Sequence, residues 1–395
     1  MKRGKQNKGK VFVGLSGGVD SSVSAALLKA ATPNNFQKSF GRPTPKGFRG
    51  YDVTGVFIKV WQPASLSLGG PDFISCNSKE DRLDAMRVAA HLGIPFRTLN
   101  LEKEYKKGVV DYMLNEYRKG NTPNPDVMCN KKVKFGAFLK YAMKEGADFV
   151  ATGHYARVAV GDRRLTQKKS TNRYKLLTGV DKEKDQSYFL WTLKQEQLKH
   201  ILFPVGAFQK GHVRELAQKS GLITATKKDS QGLCFVGKIN MKEFLKHYIK
   251  EKIGNVVNEK GIIIGRHNGA FFYTIGERHG FSVTQKTSSD RPYYVIAKNI
   301  NKNLLVVSNV PPKTPENIKN KIFLENFSFV GQPPKNKERL SVRFRYRETL
   351  LPCQIHLVKG KEIELLLDKD AGAVTSGQSA VLYRKEECVG GGIIS

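Results

Sequence analysis

The chain has 395 residues, 67 of them lysine or arginine against 35 aspartate or glutamate, which leaves a formal charge of +32. That excess favours a polyanionic partner, nucleic acid being the usual one; the length fits roughly two or three domains, and no apolar run reaches the ~20 residues that cross a bilayer, so no membrane association is expected. Five cysteines, an odd number with no Cys-x-x-Cys pair, argue against both a secreted disulfide framework and structural zinc, and point to a cytoplasmic protein with no structural metal.

The first residues, with Lys2, Arg3, Lys5, Lys8 and Lys10, hold no apolar segment and read as a basic tail rather than a secretory signal. "KVFVGL" (10–15) predicts a strand, and "SSVSAALLKA" continues at helical spacing. "TPNNFQKSFGRPTPKGFRG" (32–50), rich in proline, glycine and basic residues, predicts an inserted loop. "YDVTGVFIKVW" (51–61) is a second strand. "SKEDRLDAMRVAAHLG" (78–93) is an amphipathic helix with Ser78 as its cap, and "IPFRTLNL" (94–101) is a third strand. A helix over 131–146 and a strand over 147–156 extend the alternation. Strand–helix alternation predicts an α/β fold, a doubly wound parallel sheet whose ligands sit at the carboxyl ends of the strands.

After about Gly237 the pattern changes. One helix, "MKEFLKHYIKEKIG", precedes short β-like runs such as "GIIIG", "PYYVIAK" and "NLLVVSN". From Pro311–Pro315 onward come runs without helices, among them "IFLENFSFV", "RLSVRFRYR" and "EIELLLD", which predict a small β-barrel. The expected division is a catalytic domain over 1–238, a small mixed central domain bridging over 239–312, and a C-terminal barrel over 313–395.

The stretch "VFVGLSGGVDSSVSAALLKA" (11–30) carries the clearest chemistry. Glycines let backbone approach a ligand, and amides at a helix start point towards an anion. Ser16, Ser21 and Ser22 add hydroxyl donors. No lysine follows the glycines, which excludes the common nucleotide P-loop. Asp20 would repel phosphate without an intervening cation, so Mg²⁺ is expected beside it. The stretch resembles the pyrophosphatase loop of the ATP-dependent adenylating superfamily, whose members pass AMP to an oxygen of a carbonyl or carboxyl group.

In "GNTPNPDVMCNKKVKFG" (120–136), two prolines brace a turn and Cys129 follows at the mouth of a helix, with Lys131 and Lys132 beside it. Asp126 is a candidate acid or base. A buried structural cysteine is the plainer reading of the same residue. "KKDSQGLCFVG" (227–237) sets Cys234 in a glycine-containing turn, and the two cysteines suggest a reactive pair. Cys76 sits in a loop; Cys353 and Cys388 read as core or surface thiols.

These motifs, together with "EDRLDAMRVAAHLGIPF", "GADFVATGHYAR", "KDQSYFLWTL", "FPVG", "VRELA", "FYTIGERHG", "YYVIAK" and "VRFRYR", run in order across nearly the whole chain. In this the sequence resembles the tRNA-specific 2-thiouridylase family. The resemblance implies an adenine-nucleotide α-hydrolase-like catalytic domain and a tRNA-binding barrel. It implies that Gly14, Leu15, Ser16, Gly17, Gly18, Val19, Asp20 and Ser21 hold ATP, with Ile58 lining the adenine pocket and Gly153 also in contact. Asn124, Pro125 and Asp126 would meet the target base. Cys129 would be the nucleophile, Cys234 the persulfide carrier, and the two would form a transient disulfide. His154, Lys184, Asp185 and Gln186 would touch tRNA from the catalytic domain, and Arg345, Tyr346 and Gln378 from the barrel. Implied partners are the anticodon region of tRNA, a persulfide sulfur-relay donor protein and a cellular reductant, with the enzyme a monomer.

Two departures from the family pattern stand out. The 32–50 insertion replaces a short connection, and Asn121 stands where an arginine is common. The residues leave two other readings open, an amide-forming adenylating ligase and a non-catalytic RNA-binding scaffold. The cysteine pair speaks against the first, and the intact SGGVDSS loop against the second.

Overall fold

The computed structural model describes residues 9–31, 50–63, 74–75, 78–161, 174–229, 238–239, 241–284, 291–311, 320–357, 362–369, 371–372 and 374–395. Cys76, Cys234 and residues 32–49 of the insertion lie outside them.

The catalytic domain is built on a parallel sheet. Its strands are β1 (Gly9–Gly14), β2 (Tyr51–Lys59), β3 (Phe96–Asn100) and β4 (Phe149–Ala151). After a hairpin of β5 (Ala156–Val160) and β6 (Tyr174–Thr178), β7 (Ile201–Leu202) completes it. The order is β3-β2-β1-β4-β7, all parallel. Successive strand residues face opposite sides, so Val11 and Val13 point one way and Phe12 the other. Helices α1 (Val19–Lys29) and α2 (Ser78–His91) cover the first face, where Ala25, Leu28, Ala85 and Ala89 meet Val11, Val13, Val53 and Phe57. On the second face Phe12, Val56 and Val150 pack with Val109, Met113, Phe138 and Ala142. Those four come from α3 (102–118) and α4 (125–144). Each helix widens to π winding in its interior, at Lys106–Val110 and Cys129–Phe138 respectively. Burial of each such large side chain is worth about 1.5–3 kcal/mol. The winding order reverses between β1 and β4. Their carboxyl ends therefore form the crevice in which open α/β sheets hold ligands.

Helix α5 (Lys210–Lys219) packs on α1 through Val213 and Ala217, which meet Val19 and Val23. Helix α6 (Met241–Tyr248) opens the central region and buries Phe244 and Leu245. Five strands follow there: β8 (Gly254–Val257), β9 (Ile263–His267), β10 (Ser282–Val283), β11 (Tyr294–Asn299) and β12 (Leu304–Ser308). They form a mixed sheet in the order β10-β9-β8-β12-β11, with β8 and β12 parallel.

The C-terminal strands are β13 (Lys321–Phe329), β14 (Arg339–Arg343), β15 (Leu351–Leu357), β16 (Ile363–Leu367), β17 (Ser379–Arg384) and β18 (Glu387–Ile394). They run β13-β16-β15-β14-β17-β18, and β18 pairs back to β13, which closes the barrel. Its interior holds Leu324, Val342, Phe344, Ile355, Leu365 and Leu382. Cys353 and Cys388 are both buried, and burial pushes the Cys353 thiol up to about 12; both are core residues. The β5–β6 hairpin of the catalytic domain reaches β18 through Leu177 opposite Glu387. No helix among the described residues is long and apolar enough to cross a membrane.

Candidate functional site

The loop after β1 is held by bonds among its own residues and by contacts with β2, α2 and the residues that follow β4. Leu15 continues the β1 ladder by donating its N–H to Val56 O at 2.8 Å. Gly17 turns the chain with φ +75°, and a Cβ there would lie 2.3 Å from Asp81 O, so only glycine fits. Ser16 N–H donates to Ser21 Oγ at 3.2 Å, and Ser21 Oγ donates to Gly18 O at 3.0 Å. Gly18 caps α1 with extended backbone and no side-chain hydrogen bond. Among the described residues, a Cβ on Gly18 would meet Ser16 Oγ at 3.5 Å and nothing nearer. This is the geometry that receives an anion at a helix N-terminus.

Gly153, at the end of β4, lies directly against that first turn; a Cβ there would sit 2.7 Å from Ser21 N. Ile58 lies in β2, 3% exposed, in the core behind the crevice. Val19 is likewise buried, in the α1–α5 interface.

Asp20 was expected beside magnesium. Its Oδ1 instead accepts from Tyr155 Oη at 2.8 Å and from Lys210 Nζ at 2.6 Å. Lys210 also reaches Asp229 at 2.9 Å, and Asp229 takes Arg214 at 2.7 Å and Lys184 at 2.8 Å. Although burial opposes it, hydrogen bonds from Lys184 and Lys210 bring the Asp229 carboxyl down to about 2. Burial, then the neighbouring Asp20 charge, pushes the Tyr155 hydroxyl far up, so it stays a donor. The counter-charge beside Asp20 is therefore an ammonium group. The described residues contain no group of three or more His, Cys, Asp or Glu that could hold a metal by protein ligands alone.

The thiol half of the site begins at Asn124. Its backbone is extended and its Oδ1 accepts from Val127 N–H at 3.2 Å, which caps α4; Pro125 occupies the first helical position, where no N–H is needed. Asp126 lies in the first turn, and its carbonyl accepts from Asn130 Nδ2 at 3.1 Å. Cys129, 1% exposed, follows where α4 widens to π winding. Burial, then the Lys132 and Lys194 charges, lowers the Lys131 ammonium. His154 is buried between Phe135 and Phe203. Lys134 can only donate, so His154 Nε2 accepts from it at 3.4 Å, and Nδ1–H then donates to Thr152 Oγ1 at 2.7 Å. Burial first, and the Lys134 charge second, hold this imidazole neutral.

Of the residues expected at RNA, several turn inward. Lys184 pairs with Asp229. Asp185 is 2% exposed; its carboxylate takes Gly179 N–H, Ser187 N–H, Ser187 Oγ and Arg343. Its side chain is thus a structural anchor. Gln186 Oε1 accepts from Tyr155 N–H at 3.0 Å. On the barrel, Arg345 is exposed, Tyr346 lies 4.7 Å from the Phe189 ring, and the Gln378 carboxamide oxygen is buried. Asn121 bonds Glu116 at 2.7 Å.

Sequence reasoning missed Lys210, Asp229 and Tyr155. One signal existed: Lys210 is a cation at the first turn of a helix, the end where positive charge is unfavourable unless carboxylates meet it.

Three family models match in chain order. They are described as the tRNA methyl transferase HUP domain (residues 9–39 and 47–238), the tRNA methyl transferase PRC-barrel domain (242–309) and the aminomethyltransferase beta-barrel domain (319–394). A relative from Bacillus licheniformis, named tRNA-specific 2-thiouridylase MnmA, is 42% identical over 388 residues, which cover 98% of this chain and 94% of its own. Another of that name, from Streptococcus mutans, is 41% identical over 394 residues, with 98% and 95% covered. Among solved structures, U34-tRNA thiolase NcsA from Methanococcus maripaludis aligns at 17% identity with a TM-score of 0.33, over 61% of this chain and 68% of that one. With relatives this similar along nearly its full length, the chain belongs to the tRNA-specific 2-thiouridylase family.

Proposed function

We propose that the chain catalyses ATP-dependent 2-thiolation of the wobble uridine of tRNA. The observation that carries this reading is the N-terminus of α1, capped by Gly18 without a side-chain hydrogen bond, at the sheet's switch point, in a chain whose relatives of that name match it along nearly its whole length. Gly14 to Ser21 and Gly153 would hold the ATP phosphates, with Ile58 behind the adenine. Asn124, Pro125 and Asp126 would hold the flipped base. Arg345, Tyr346, Gln378 and the Lys184–Gln186 turn would bracket the anticodon, Asp185 through its backbone. His154, neutral and buried, would shape the pocket from below.

Uracil O2 is a poor leaving group. Attack of O2 on the α-phosphorus of ATP releases pyrophosphate and makes AMP the leaving group. The α1 amides and Lys210 would stabilise the charge that develops on the phosphates. Sulfur then arrives as a persulfide on Cys234, loaded by a sulfur-relay donor protein. Either the terminal sulfur attacks C2, expels AMP, and Cys129 cleaves the S–S bond; or Cys129 attacks the persulfide first and frees sulfide to attack C2. Both routes end in 2-thiouridine, AMP and a Cys129–Cys234 disulfide, which a two-electron cellular reductant reopens. The protein would act as a monomer in the cytoplasm.

The test is mass spectrometry of tRNA nucleosides after incubation with ATP and a persulfide donor. Cys129→Ser and Cys234→Ser are each expected to abolish 2-thiouridine while the proteins stay folded. Thiolation at the wild-type rate by either variant refutes the reading. ATP–pyrophosphate exchange with a small carboxylic acid and no tRNA would favour the ligase alternative.

A further inference from the structure

The loop between β1 and α1 carries no lysine after its glycines, yet folding brings one to it. Lys210 opens α5, where its N–H donates to Asp181 Oδ2 at 2.9 Å, so its backbone is fixed. Its side chain, 11% exposed, crosses to the first turn of α1 and donates to Asp20 Oδ1 at 2.6 Å. It also forms an ion pair with Asp229 Oδ1 at 2.9 Å. One ammonium is thus shared by two carboxylates, beside the α1 amides that would receive the phosphates of ATP.

The two carboxylates differ in what they would lose without it. Among the described residues Lys210 is the one cation paired with Asp20, to which Tyr155 Oη adds a neutral hydrogen bond at 2.8 Å. Deprived of Lys210, Asp20 would stand as an uncompensated, partly buried charge next to the incoming phosphates, which is costly. Asp229 has two other cations, Arg214 at 2.7 Å on Oδ1 and Lys184 at 2.8 Å on Oδ2. It can release Lys210 and remain paired. The Asp229 contact is therefore the weaker hold on the ammonium, and phosphate oxygens, strong acceptors of charge-assisted hydrogen bonds, compete with it.

We infer that Lys210 exchanges partners when ATP binds: its ammonium leaves Asp229 for the phosphates and stays on Asp20, which is thereby a positioning residue. Asp229 holds the lysine beside the loop until the nucleotide enters. The inference rests on the reading above in which this loop binds ATP. The fold in this way supplies from α5 the lysine that the common nucleotide P-loop carries in its own sequence. A purely structural ion-pair network predicts otherwise, because loss of Asp229 would then lower stability and leave ATP affinity unchanged or weaker.

The experiment is calorimetric titration of the full chain with ATP and Mg²⁺. Asp229→Asn keeps the shape and removes the competing charge. It is expected to tighten ATP binding about threefold, the scale of one partly exposed ion pair, even though it destabilises the fold. Lys210→Met is expected to weaken ATP binding about 30-fold, the scale of a lost charge-assisted hydrogen bond. In the Lys210→Met background, Asp229→Asn should gain less than about 1.5-fold, since no lysine is left to release. Asp84→Asn takes a charge from the Lys227 pair on α2 without touching Lys210. It controls for net charge and should change affinity less than about 1.5-fold. Unchanged or weaker ATP binding in Asp229→Asn, a gain as large without Lys210 as with it, or an equal gain in Asp84→Asn would each overturn the inference. Should Lys210→Met fail to fold, the contrast between Asp229→Asn and Asp84→Asn decides. Failure of the thiolation reading shows separately. A wild-type chain that binds no ATP overturns both, whereas one that binds ATP with these signs and forms no 2-thiouridine supports the exchange and overturns thiolation.

Discussion

The loop after β1 and the turn that leads into α4 are both short, polar and punctuated by glycine or proline, yet they are built in different ways. The first takes its internal bonds from neighbours in sequence and lies wholly within the α/β sheet region: Gly17 turns, Ser16 and Ser21 bond one another, and Gly18 caps α1 without a side-chain hydrogen bond. The second is made by three regions at once. Thr122 Oγ1 meets Thr274 of the central region at 3.2 Å, and Thr122 N–H donates to Ser376 O of the barrel at 2.9 Å. A phosphate-binding loop recurs wherever ATP is used and can be local. Under the proposed function, a thiol that acts on one base of a large RNA would gain from being set by the domains that hold that RNA.

The largest effect that would sharpen this contrast belongs to Gly17→Ala. A left-handed φ and a Cβ 2.3 Å from Asp81 O leave no room for alanine, so ATP affinity should drop about 100-fold while the tRNA dissociation constant moves less than about twofold. Calorimetric titration with ATP and filter binding of tRNA measure the two; equal loss of both would break the distinction.

Gly377→Ala is the mirror experiment. Gly377 has φ +89°, and a Cβ would stand 2.7 Å from Asn121 Cβ. Thiolation should slow about tenfold with ATP binding unchanged, because the strain falls on the barrel face that holds the α4 turn. A loss of ATP affinity instead would show that the two segments are not separately built.

Asp229→Asn tests the charge network that joins the loop to α5. Folding lowers this carboxyl from 3.8 to about 2. The folded state therefore holds its proton less readily than the unfolded chain. The stabilisation is present above about pH 4 and is lost as pH falls towards about 2. The side chain is 31% exposed, and with solvent screening the substitution should cost about 1–2 kcal/mol at neutral pH. Urea unfolding at pH 7 and again at pH 3 should show the gap between variant and wild type shrinking; a gap that widens on acidification would contradict the assignment.

The smallest effect is expected at Glu386, which bridges the β5–β6 hairpin to the barrel through Arg157 at 2.7 Å and Lys182 at 2.9 Å. These pairs are solvent-exposed, so Glu386→Ala should cost about 0.5 kcal/mol and leave turnover unchanged. A clear fall in kcat would mean that the contact between the hairpin and the barrel matters for turnover and not only for stability.

The sequence by itself determined what depends on near neighbours. Alternating strands and helices implied the doubly wound sheet, and the β-rich C-terminal third implied a barrel. SGGVDSS at a strand–helix junction implied an anion-binding turn, since its glycines and serines act within a few residues of one another. Only the tertiary structure decided what depends on distant partners. Asp20 reads in sequence as a carboxylate with no cation near it in the chain; Lys210, 190 residues away, brings an ammonium group to its Oδ1. The resemblance places Lys184, Asp185 and Gln186 at RNA, whereas folding buries Asp185 and Tyr188 against barrel residues more than 150 positions later. A buried polar group must find a partner or bear the cost of desolvation, and which partner it finds is set by how the sheet, the central strands and the barrel close on one another.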